Sequence, residues 1–268
     1  MGTFFADLRH SIRMFWKSPA FTLAVLAALA LGIGADTAIF SVVNAVLLKP
    51  LNYPDADRIV RFLNTSPDGN FPGASVTKFH VWQEQSNVLQ DVAAYDFGPK
   101  GMNLTGTVPE QVQGVHVSEA YFRLFGARTI LGRTFTTQED MPPGGTMVVI
   151  SYGFWKRKFG GDPNIVGRTI SLSGEPYTIL GVIGADFDSD PKADLWLPFQ
   201  FPPNSNDQAH YFTAAGRLKP GVTLERAKAQ MKLAYAEFKR RYPESDPKAS
   251  FSVEPLKDSI VGNVRSSL

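Results

Sequence analysis

An acidic stretch in the second half of the chain has the most metal-like spacing in the sequence. Asp186-Phe187-Asp188-Ser189-Asp190 places carboxylates at the first, third and fifth positions, as a calcium-binding EF-hand loop does. The sixth position is Pro191, where that loop needs a glycine, and the twelfth is Leu197, where it needs a bidentate glutamate. We therefore interpret the stretch as a solvated acidic loop and keep a calcium site as the weaker alternative.

Other residue types that carry chemistry are scattered or absent. Cysteine is absent, which excludes a thiolate zinc site, a disulfide framework and a cysteine nucleophile. The sequence has no G-x-x-x-x-G-K-[ST], H-E-x-x-H or G-x-S-x-G motif. Gly32-Ile33-Gly34 lies in an apolar stretch with no preceding strand, so we reject it as a dinucleotide fingerprint. The four histidines are far apart: His10, His80, His116 and His210. The sequence thus predicts no catalytic residue, no cofactor and no metal.

The charge of the 268-residue chain is balanced. Lys+Arg 27 against Asp+Glu 25 gives a net charge of +2, without the basic stripe of a dedicated nucleic-acid binder. A hydrophobic content of 44% is that of an ordinary folded chain. Arg217, Lys219 and the basic side of a predicted helix at Arg226 to Arg241 could attract anionic lipid or an acidic partner. We interpret them as a solvated face and keep that attraction as the alternative.

The N-terminal segment has the pattern of an amphipathic helix. From Met1 to Lys17, apolar residues recur every three to four positions. Arg9, Arg13 and Lys17 flank this stripe, which is typical of a helix that lies in a bilayer interface with its cations near the headgroups. The alternative is a helix packed on a soluble core.

A transmembrane helix is predicted directly after it. Ser18-Pro19 is a helix-start signal, and the segment 20–48 then contains a single charge, Asp36. A helix from Phe21 to Leu48 would be ~42 Å long at ~1.5 Å per residue. That exceeds the ~30 Å hydrocarbon core of a bilayer, so the helix could span it with tilt.

A cleaved signal peptide is the main competitor of this anchor. Gly32 to Ala35 is small enough for a cleavage site. The apolar pattern resumes beyond Asp36, however, which favours an uncleaved helix. Three cations lie on each side of the span, so charge does not settle the orientation. The short N-terminal tail and the large following domain favour a cytoplasmic N-terminus and an extracytoplasmic domain.

Small residues share one face of the predicted span. Ala24, Ala28 and Gly32 are four positions apart, and Asp36 is the next residue on that face. Small-xxx-small faces let membrane helices approach closely, and a carboxylate facing lipid is costly. These four residues are therefore candidates for packing against other membrane helices. The alternative is that alanine is merely common there and Asp36 lies at the interface.

The segment 49–268 predicts an α+β domain, because strands and helices interleave without the steady βαβ rhythm of a doubly wound sheet. Ser75 and Thr223 are helix N-caps, and Gly126 ends a short helix. The clearest helix has a core stripe of Leu224, Ala227, Met231, Ala234 and Phe238. The predicted helices are 76–89, 120–125, 152–159 and the one after Thr223. The predicted strands are 59–63, 92–97, 110–117, 147–150, 168–172, 177–183, 195–199, 212–218 and 251–255.

Several stretches together resemble MacB-type ABC transporter permeases, in particular the large duplicated permeases without a fused ATPase. The N-terminal stretches are Asp7-Leu8-Arg9, Lys17-Ser18-Pro19-Ala20-Phe21-Thr22, Leu29-Ala30-Leu31-Gly32-Ile33-Gly34-Ala35, and Thr37 to Leu48 followed by Pro50-Leu51 and Tyr53-Pro54. Those that resemble the family's periplasmic core domain include Tyr121-Phe122, Gly132-Arg133-Thr134-Phe135, Val149-Ile150-Ser151-Tyr152, Gly167-Arg168-Thr169-Ile170, Asp194-Leu195-Trp196-Leu197-Pro198 and Arg217-Leu218-Lys219-Pro220-Gly221-Val222.

The resemblance implies a division of labour along the chain. Residues 1–19 would be a cytoplasmic coupling helix, with Arg9, Arg13 and Lys17 next to a separate ABC ATPase subunit. Residues 20–48 would cross the inner membrane. Residues 49–268 would form the periplasmic core domain, with an inserted subdomain at about 132–199. The chain would be a non-enzymatic permease part that transmits ATP-driven movement for efflux or export, alongside further permease helices or a second permease copy.

Two other functions stay open. The chain could be a stand-alone, single-span binding or sensing module, or a membrane-anchored enzyme. Family permeases continue into further membrane helices, and we expect the next span near Arg265 to Leu268, where this sequence ends.

Overall fold

The computed structural model describes residues 19–43, 51–106 and 109–259. The predicted helix of residues 1–17 lies outside them. The described residues fall into two units, one containing the N-terminal helix and one containing the domain at 51–259.

The N-terminal helix α1 runs from Pro19 to Val43 over 25 residues. Pro19 is its first residue, the position at which proline's missing N–H and fixed φ fit a helix. The window Pro19–Thr37 has a mean hydropathy of 1.8 and is long and apolar enough to cross a membrane, a test that a signal sequence also passes. Its exposed side chains include Phe21, Leu23, Leu26 and Leu31.

The domain contains mixed strands and short helices, as predicted. Its strands are β1 (Ile59–Ser66), β2 (Gly69–Phe71), β3 (Gly73–Ala74), β4 (Leu89–Asp96), β5 (Lys100–Thr105), β6 (Glu110–Val117), β7 (Thr129–Gly132), β8 (Met147–Ser151), β9 (Thr169–Leu172), β10 (Glu175–Ile183), β11 (Leu195–Pro198), β12 (Phe212–Leu218) and β13 (Ser250–Pro255). Its α-helices are α2 (Val76–Gln83), α3 (Ala120–Phe125), α4 (Tyr152–Phe159) and α5 (Leu224–Arg241), and a 3-10 turn covers Ala56–Arg58.

The helix predicted at 76–89 is shorter than expected. It ends at Gln83, because the Gln85 backbone N–H bonds back to the Trp82 carbonyl in a tighter turn. The Gln85 side chain also donates to the Val81 carbonyl at 2.9 Å, which satisfies a carbonyl at the helix end. Leu89 consequently begins strand β4 rather than ending a helix.

Four strands form an open antiparallel sheet in the order β4-β12-β1-β13. Helices α2 and α5 cover one face of it. The Phe62 ring of β1 stacks on the Trp82 ring of α2 with centroids 4.5 Å apart. The predicted caps are confirmed: Ser75 accepts from the Lys78 backbone N–H and Thr223 from that of Arg226.

The other face of the same sheet packs against α3. Neighbouring strand residues alternate between the two faces, so Val92 and Ala94 point to α2 and α5 while Ala93 and Tyr95 point to α3. Helix α3 is buried along most of its length and ends at Gly126, as predicted. The sheet is therefore buried on both sides over its central strands.

Six strands close into a ring of pairings in the order β11-β8-β10-β9-β5-β6 and back to β11. Val148 and Ile150 of β8 point to one core while Val149 points to the core beneath α3. A Cβ at Gly114 would lie 2.6 Å from the Met102 sulfur, so any larger residue at this ring position would displace the Met102 side chain. Two parts of the sequence contribute strands to this ring: residues 147–198 contribute β8 to β11, and residues 100–117 contribute β5 and β6. The predicted domain boundaries stay a prediction.

Candidate functional site

The predicted packing face of α1 is fully exposed. Ala24, Ala28, Gly32 and Asp36 are all exposed, and a Cβ added at Gly32 would meet nothing within 4 Å. Thr37 donates its hydroxyl to the Ile33 carbonyl at 2.6 Å, which satisfies that polar group within the helix. Their role in helix packing stays a prediction. The predicted coupling residues Arg9, Arg13 and Lys17 lie outside the described residues, and their role also stays a prediction.

The chain leaving α1 reaches the domain through residues 51–58, which we call the connector. Leu51 and Tyr53 are half-buried against the core beneath α3. The Tyr53 ring meets the Phe125 ring edge-on with centroids 4.9 Å apart. The Tyr53 hydroxyl donates to the Asp188 carbonyl at 3.3 Å. The connector thus begins as a packed segment of the domain and not as a loose tether.

A buried arginine holds the connector and α3 together. Arg217 of β12 is 4% exposed, on the side of the sheet that faces α3. Its guanidinium donates to the Pro54 carbonyl of the connector and to the Leu124 carbonyl in the last turn of α3. The planar fork of an arginine suits this double role, because its donors diverge in fixed directions. One side chain therefore joins three elements, and we call it the Arg217 clamp.

The charges around the clamp are arranged to tolerate its burial. Burial lowers the pKa of Arg217, and the carboxylates of Asp55 and Asp91 oppose that shift. The Asp55 carboxylate lies 3.7 Å from the Arg217 guanidinium. Arg58 also contacts Asp55 and donates to the Leu218 carbonyl at 3.0 Å. An unpaired buried charge is costly. The Asp55 and Asp91 carboxylates stabilise the Arg217 charge, and the nearby Arg58 charge opposes it.

The clamp leaves no spare room at the end of α3. Gly126 has φ +73°, the left-handed conformation that ends the helix, and a Cβ there would lie 2.4 Å from the Pro54 ring. Arg123 of α3 donates to the Asp91 carboxylate of β4 at 2.7 Å. The connector, α3 and the sheet therefore contact one another through backbone, apolar and ionic groups at one place.

A second polar cluster joins the open sheet to the ring of strands. Asp96, at the end of β4, is 1% exposed. It accepts from the Lys100 ammonium at 2.9 Å and from the ring Nδ1 and backbone N–H of His116 at 2.9 and 2.8 Å. Burial raises the pKa of Asp96, but these donors overcome it and leave the pKa below its ordinary value. Because β4 and β6 pair at one position only, Tyr95 with Val117, Asp96 supplies much of the polar contact at this joint.

Asp140 lies beside the same joint. Its carboxylate accepts from the backbone N–H groups of Glu119 and Gln200 at 2.8 and 3.2 Å. Burial nevertheless raises the pKa of Asp140 to about 6. This carboxylate is therefore held in a place that disfavours its charge.

The other residues that the sequence offered as candidates contact neighbouring side chains of the fold. Within the described residues, no group of three His, Asp or Glu side chains could hold a metal ion, including the stretch Asp186 to Asp190. His116 contacts Asp96, and His210 lies 2.7 Å from the Lys78 ammonium. On the basic face of α5, Arg241 pairs with Glu84 and Glu237.

The prediction that Arg217 belongs to a solvated basic surface is wrong, because its guanidinium is buried against the Pro54 and Leu124 carbonyls. Sequence reasoning missed this clamp and Asp96. Both lie in largely apolar strands, where a charged residue gives no sign of its partners. The one available signal was that Phe212 to Leu218 reads as a buried strand and yet contains an arginine.

Comparison with known proteins places this fold. A family model described as "MacB-like periplasmic core domain" matches residues 22–234. The chain is 24% identical over 246 residues to "Macrolide export ATP-binding/permease protein MacB 1" of Yersinia pestis bv. Antiqua. That match covers 83% of this chain and 36% of the relative, so the chain spans about a third of the length of the curated relatives it matches.

Two solved structures share the fold. The periplasmic region of MacB from Actinobacillus actinomycetemcomitans matches with a TM-score of 0.57 and 16% identity, over 84% of this chain and 99% of that one. The extracellular domain of the ABC-type transporter YknZ from Gram-positive bacteria matches with a TM-score of 0.51 and 14% identity, over 73% and 99%.

Proposed function

Because the chain belongs to the MacB-like periplasmic core domain family, we propose that it works as the first membrane helix and extracytoplasmic domain of an ABC transporter permease. A separate cytoplasmic ATPase subunit would hydrolyse ATP, and this chain would convert the resulting movement into a displacement of its outer domain. The displacement would drive efflux or export. The chain itself would catalyse no bond chemistry.

The observation that carries the proposal is the Arg217 clamp. Residues 44–50 are the only covalent link between α1 and the connector in this sequence, so a pull on α1 reaches the domain through residues 51–58. A pulling force moves a folded domain as a whole only if the pulled segment is firmly attached to that domain. The clamp ties the connector to β12 and α3, and β12 is hydrogen-bonded between β1 and β4. A pull on the connector would therefore be carried by the sheet and not by a loose strand end.

The joint at Asp96 supports the second half of this path. Asp96 and Ser118 connect the open sheet to the ring of strands, since Ser118 accepts from the Ala94 backbone N–H at 2.9 Å. Buried charge-assisted hydrogen bonds are among the stronger polar contacts in proteins. With this joint intact, the ring would move with the sheet as one body.

The proposed location is the inner membrane, with a cytoplasmic N-terminus. Absence of cysteine makes the orientation simple to test, because a single introduced cysteine is a unique label. Asp68 is an exposed residue in the turn between β1 and β2. The labelling uses whole cells whose outer membrane has been permeabilised. We expect Asp68→Cys to react with a membrane-impermeant maleimide in these cells. Ser11→Cys, in the N-terminal segment, should react only after lysis. The reverse pattern would contradict the orientation.

The ATPase partner is tested by purification from native membranes in mild detergent. We expect the full gene product that contains this chain to retain an ABC ATP-binding subunit at a fixed stoichiometry. Recovery of the protein with no ATP-binding subunit, together with tight binding of a soluble ligand, would instead support the stand-alone binding or sensing module.

A further inference from the structure

A cavity of about 510 Å³ opens between the connector, the sheet and the acidic loop. Its size is within the range of small-molecule sites. Three aromatic rings form its wall: Phe125 meets Tyr53 edge-on at 4.9 Å between centroids and Tyr95 edge-on at 5.7 Å. Phe97, which is half exposed, also lines it. Phe125 and Tyr95 are buried, so Tyr53 and Phe97 are the more accessible rings of the cavity.

Two charged side chains line the cavity, Arg61 and Asp190, and they differ in whether they have an ion-pair partner. Arg61 lines it, but its guanidinium is paired with the Glu254 carboxylate at 2.6 Å. Asp190 also lines it, and among the described residues its carboxylate has no ion-pair partner and no hydrogen-bond donor. Of the neighbouring acids, Asp188 pairs with Lys192 and Asp194 with Arg157, while Asp186 lines a separate pocket. The cavity therefore holds one unpartnered negative charge.

The Asp190 charge affects the pKa values of the two tyrosines in the cavity. Burial raises the pKa of Tyr53 to about 12, and the Asp190 carboxylate adds to the shift. Burial also raises the pKa of Tyr95; the nearby Arg61 guanidinium opposes this rise, and Asp190 and Tyr53 add to it. Both rings thus stay neutral near physiological pH, with their negative π faces intact.

We propose that this cavity binds a small organic cation, with the ammonium centre held by the aromatic wall and by Asp190. Aromatic faces attract ammonium ions through the ring quadrupole, and several rings around one cation are how proteins recognise quaternary ammonium groups. An anion would be repelled by Asp190 and would have to compete with Glu254 for the Arg61 guanidinium. A neutral apolar molecule would leave the Asp190 charge without a partner.

Binding is tested on the full chain in nonionic detergent micelles, by ligand-observed NMR titration with choline. The control ligand is dimethylbutanol, the neutral carbon isostere of choline. We expect choline to bind and dimethylbutanol to bind much more weakly. Equal binding of the two, or no binding of choline, would overturn the proposal.

Variants of the acid sharpen the test. We expect Asp190→Asn to weaken choline binding about fivefold, the effect of losing an exposed charge partner, and Asp190→Glu to retain most of the affinity. Glu175→Gln removes an equal charge from the exposed β9–β10 hairpin and should change nothing. Unchanged affinity in Asp190→Asn would overturn the site. Asp190 is exposed, so these variants should keep the wild-type melting temperature, which is measured alongside.

An ammonium group can come from a free solute or from a lipid headgroup, and the titration separates the two. In nanodiscs, weaker choline binding with phosphatidylcholine than with phosphatidylglycerol identifies the headgroup as a competitor. Equal binding identifies a free solute. The experiment uses no ATPase and no nucleotide, so its failure would leave the proposed transport function standing, and failure of that function would leave this site standing.

Discussion

Replacement of Arg217 by methionine removes the clamp while keeping a long, flexible apolar side chain. The variant leaves the buried Leu124 carbonyl and the partly buried Pro54 carbonyl without their donor. It also removes the positive charge beside Asp55 and Asp91. The connector would lose its polar attachment to β12, while the apolar contacts of Tyr53 remain.

The expected magnitude follows from opposing effects. Each hydrogen bond from a charged donor contributes about 1.5–3 kcal/mol, so two contribute roughly 3–6 kcal/mol. Release of a buried guanidinium from its desolvation cost offsets part of this, because a buried charge is itself unfavourable by several kcal/mol. We expect Arg217→Met to lower the free energy of unfolding by about 3 kcal/mol. Arg217→Lys should recover little, since a single ammonium cannot reach two divergent carbonyls as a fork does.

The assay is denaturant unfolding of the full chain in micelles, followed by tryptophan fluorescence, together with hydrogen exchange of the backbone amides. Hydrogen exchange should speed up most in residues 51–58 and at the end of α3, because those segments lose their shared anchor. Arg226→Met is the matched control, as Arg226 is exposed on α5, and should change stability by less than about 0.5 kcal/mol. A change of that small size in Arg217→Met, or unaltered exchange in 51–58, would refute the clamp.

Three further perturbations test the same region. Gly126→Ala should lower stability by about 2 kcal/mol and Gly160→Ala by about 1 kcal/mol in thermal unfolding, since φ is +73° and +62° but only the first Cβ meets a neighbour within 4 Å; equal losses would contradict the contact with the connector. The pKa of Asp140 is raised to about 6, so its carboxylate is protonated more readily in the folded state than in the unfolded state. As pH falls through 6 toward the ordinary pKa of 3.8, the stability of wild type relative to Asp140→Asn should therefore rise by up to about 3 kcal/mol. A stability difference that does not change with pH would contradict the burial of Asp140. Asp96→Asn should cost about 2 kcal/mol in denaturant unfolding, because Lys100 and His116 lose a charged acceptor; a loss below about 0.5 kcal/mol would remove Asp96 from the joint.

The sequence predicted the elements whose signals are local. Helix α5 was predicted from the cap at Thr223 and from a stripe of core residues at helical spacing. The cap is confirmed, and so is the burial of the stripe except at Leu224, which is partly buried. Helix α3 was predicted from its short apolar run and from Gly126, and its bounds are confirmed. These signals depend on residues within one or two turns of each other, so a single sequence contains them in full.

Elements with weak local signals were missed. Strand β5, Lys100–Thr105, is mostly exposed and contains Gly101 and Asn103, which are uncommon in strands. Strand β7, Thr129–Gly132, has four residues. Each exists because a longer partner strand supplies its hydrogen bonds, β6 for the first and β10 for the second.

The closed ring and the clamp could not be predicted because both depend on long-range pairing. The ring closes through parallel pairing of β11 with β6, which are about eighty residues apart. Arg217 meets its acceptors 163 and 93 positions away. No residue close to Arg217 in the sequence indicates that those carbonyls are its hydrogen-bond acceptors. The family resemblance, in contrast, was visible in the sequence, because it rests on an ordered series of short motifs and not on any one contact.

The measurement that tests the central claim most directly is the height of the domain above the membrane during ATP turnover. A fluorophore on Glu175→Cys, at the exposed β9–β10 hairpin, would report energy transfer to acceptor lipids in proteoliposomes that contain the co-purified ATPase. We predict that trapping with ATP and vanadate changes the transfer efficiency relative to the nucleotide-free state. Arg217→Met should reduce this change, while its rate of ATP hydrolysis, measured without vanadate, is retained. Identical transfer with and without nucleotide, in a preparation that hydrolyses ATP, would contradict the claim that this domain is moved by the ATPase.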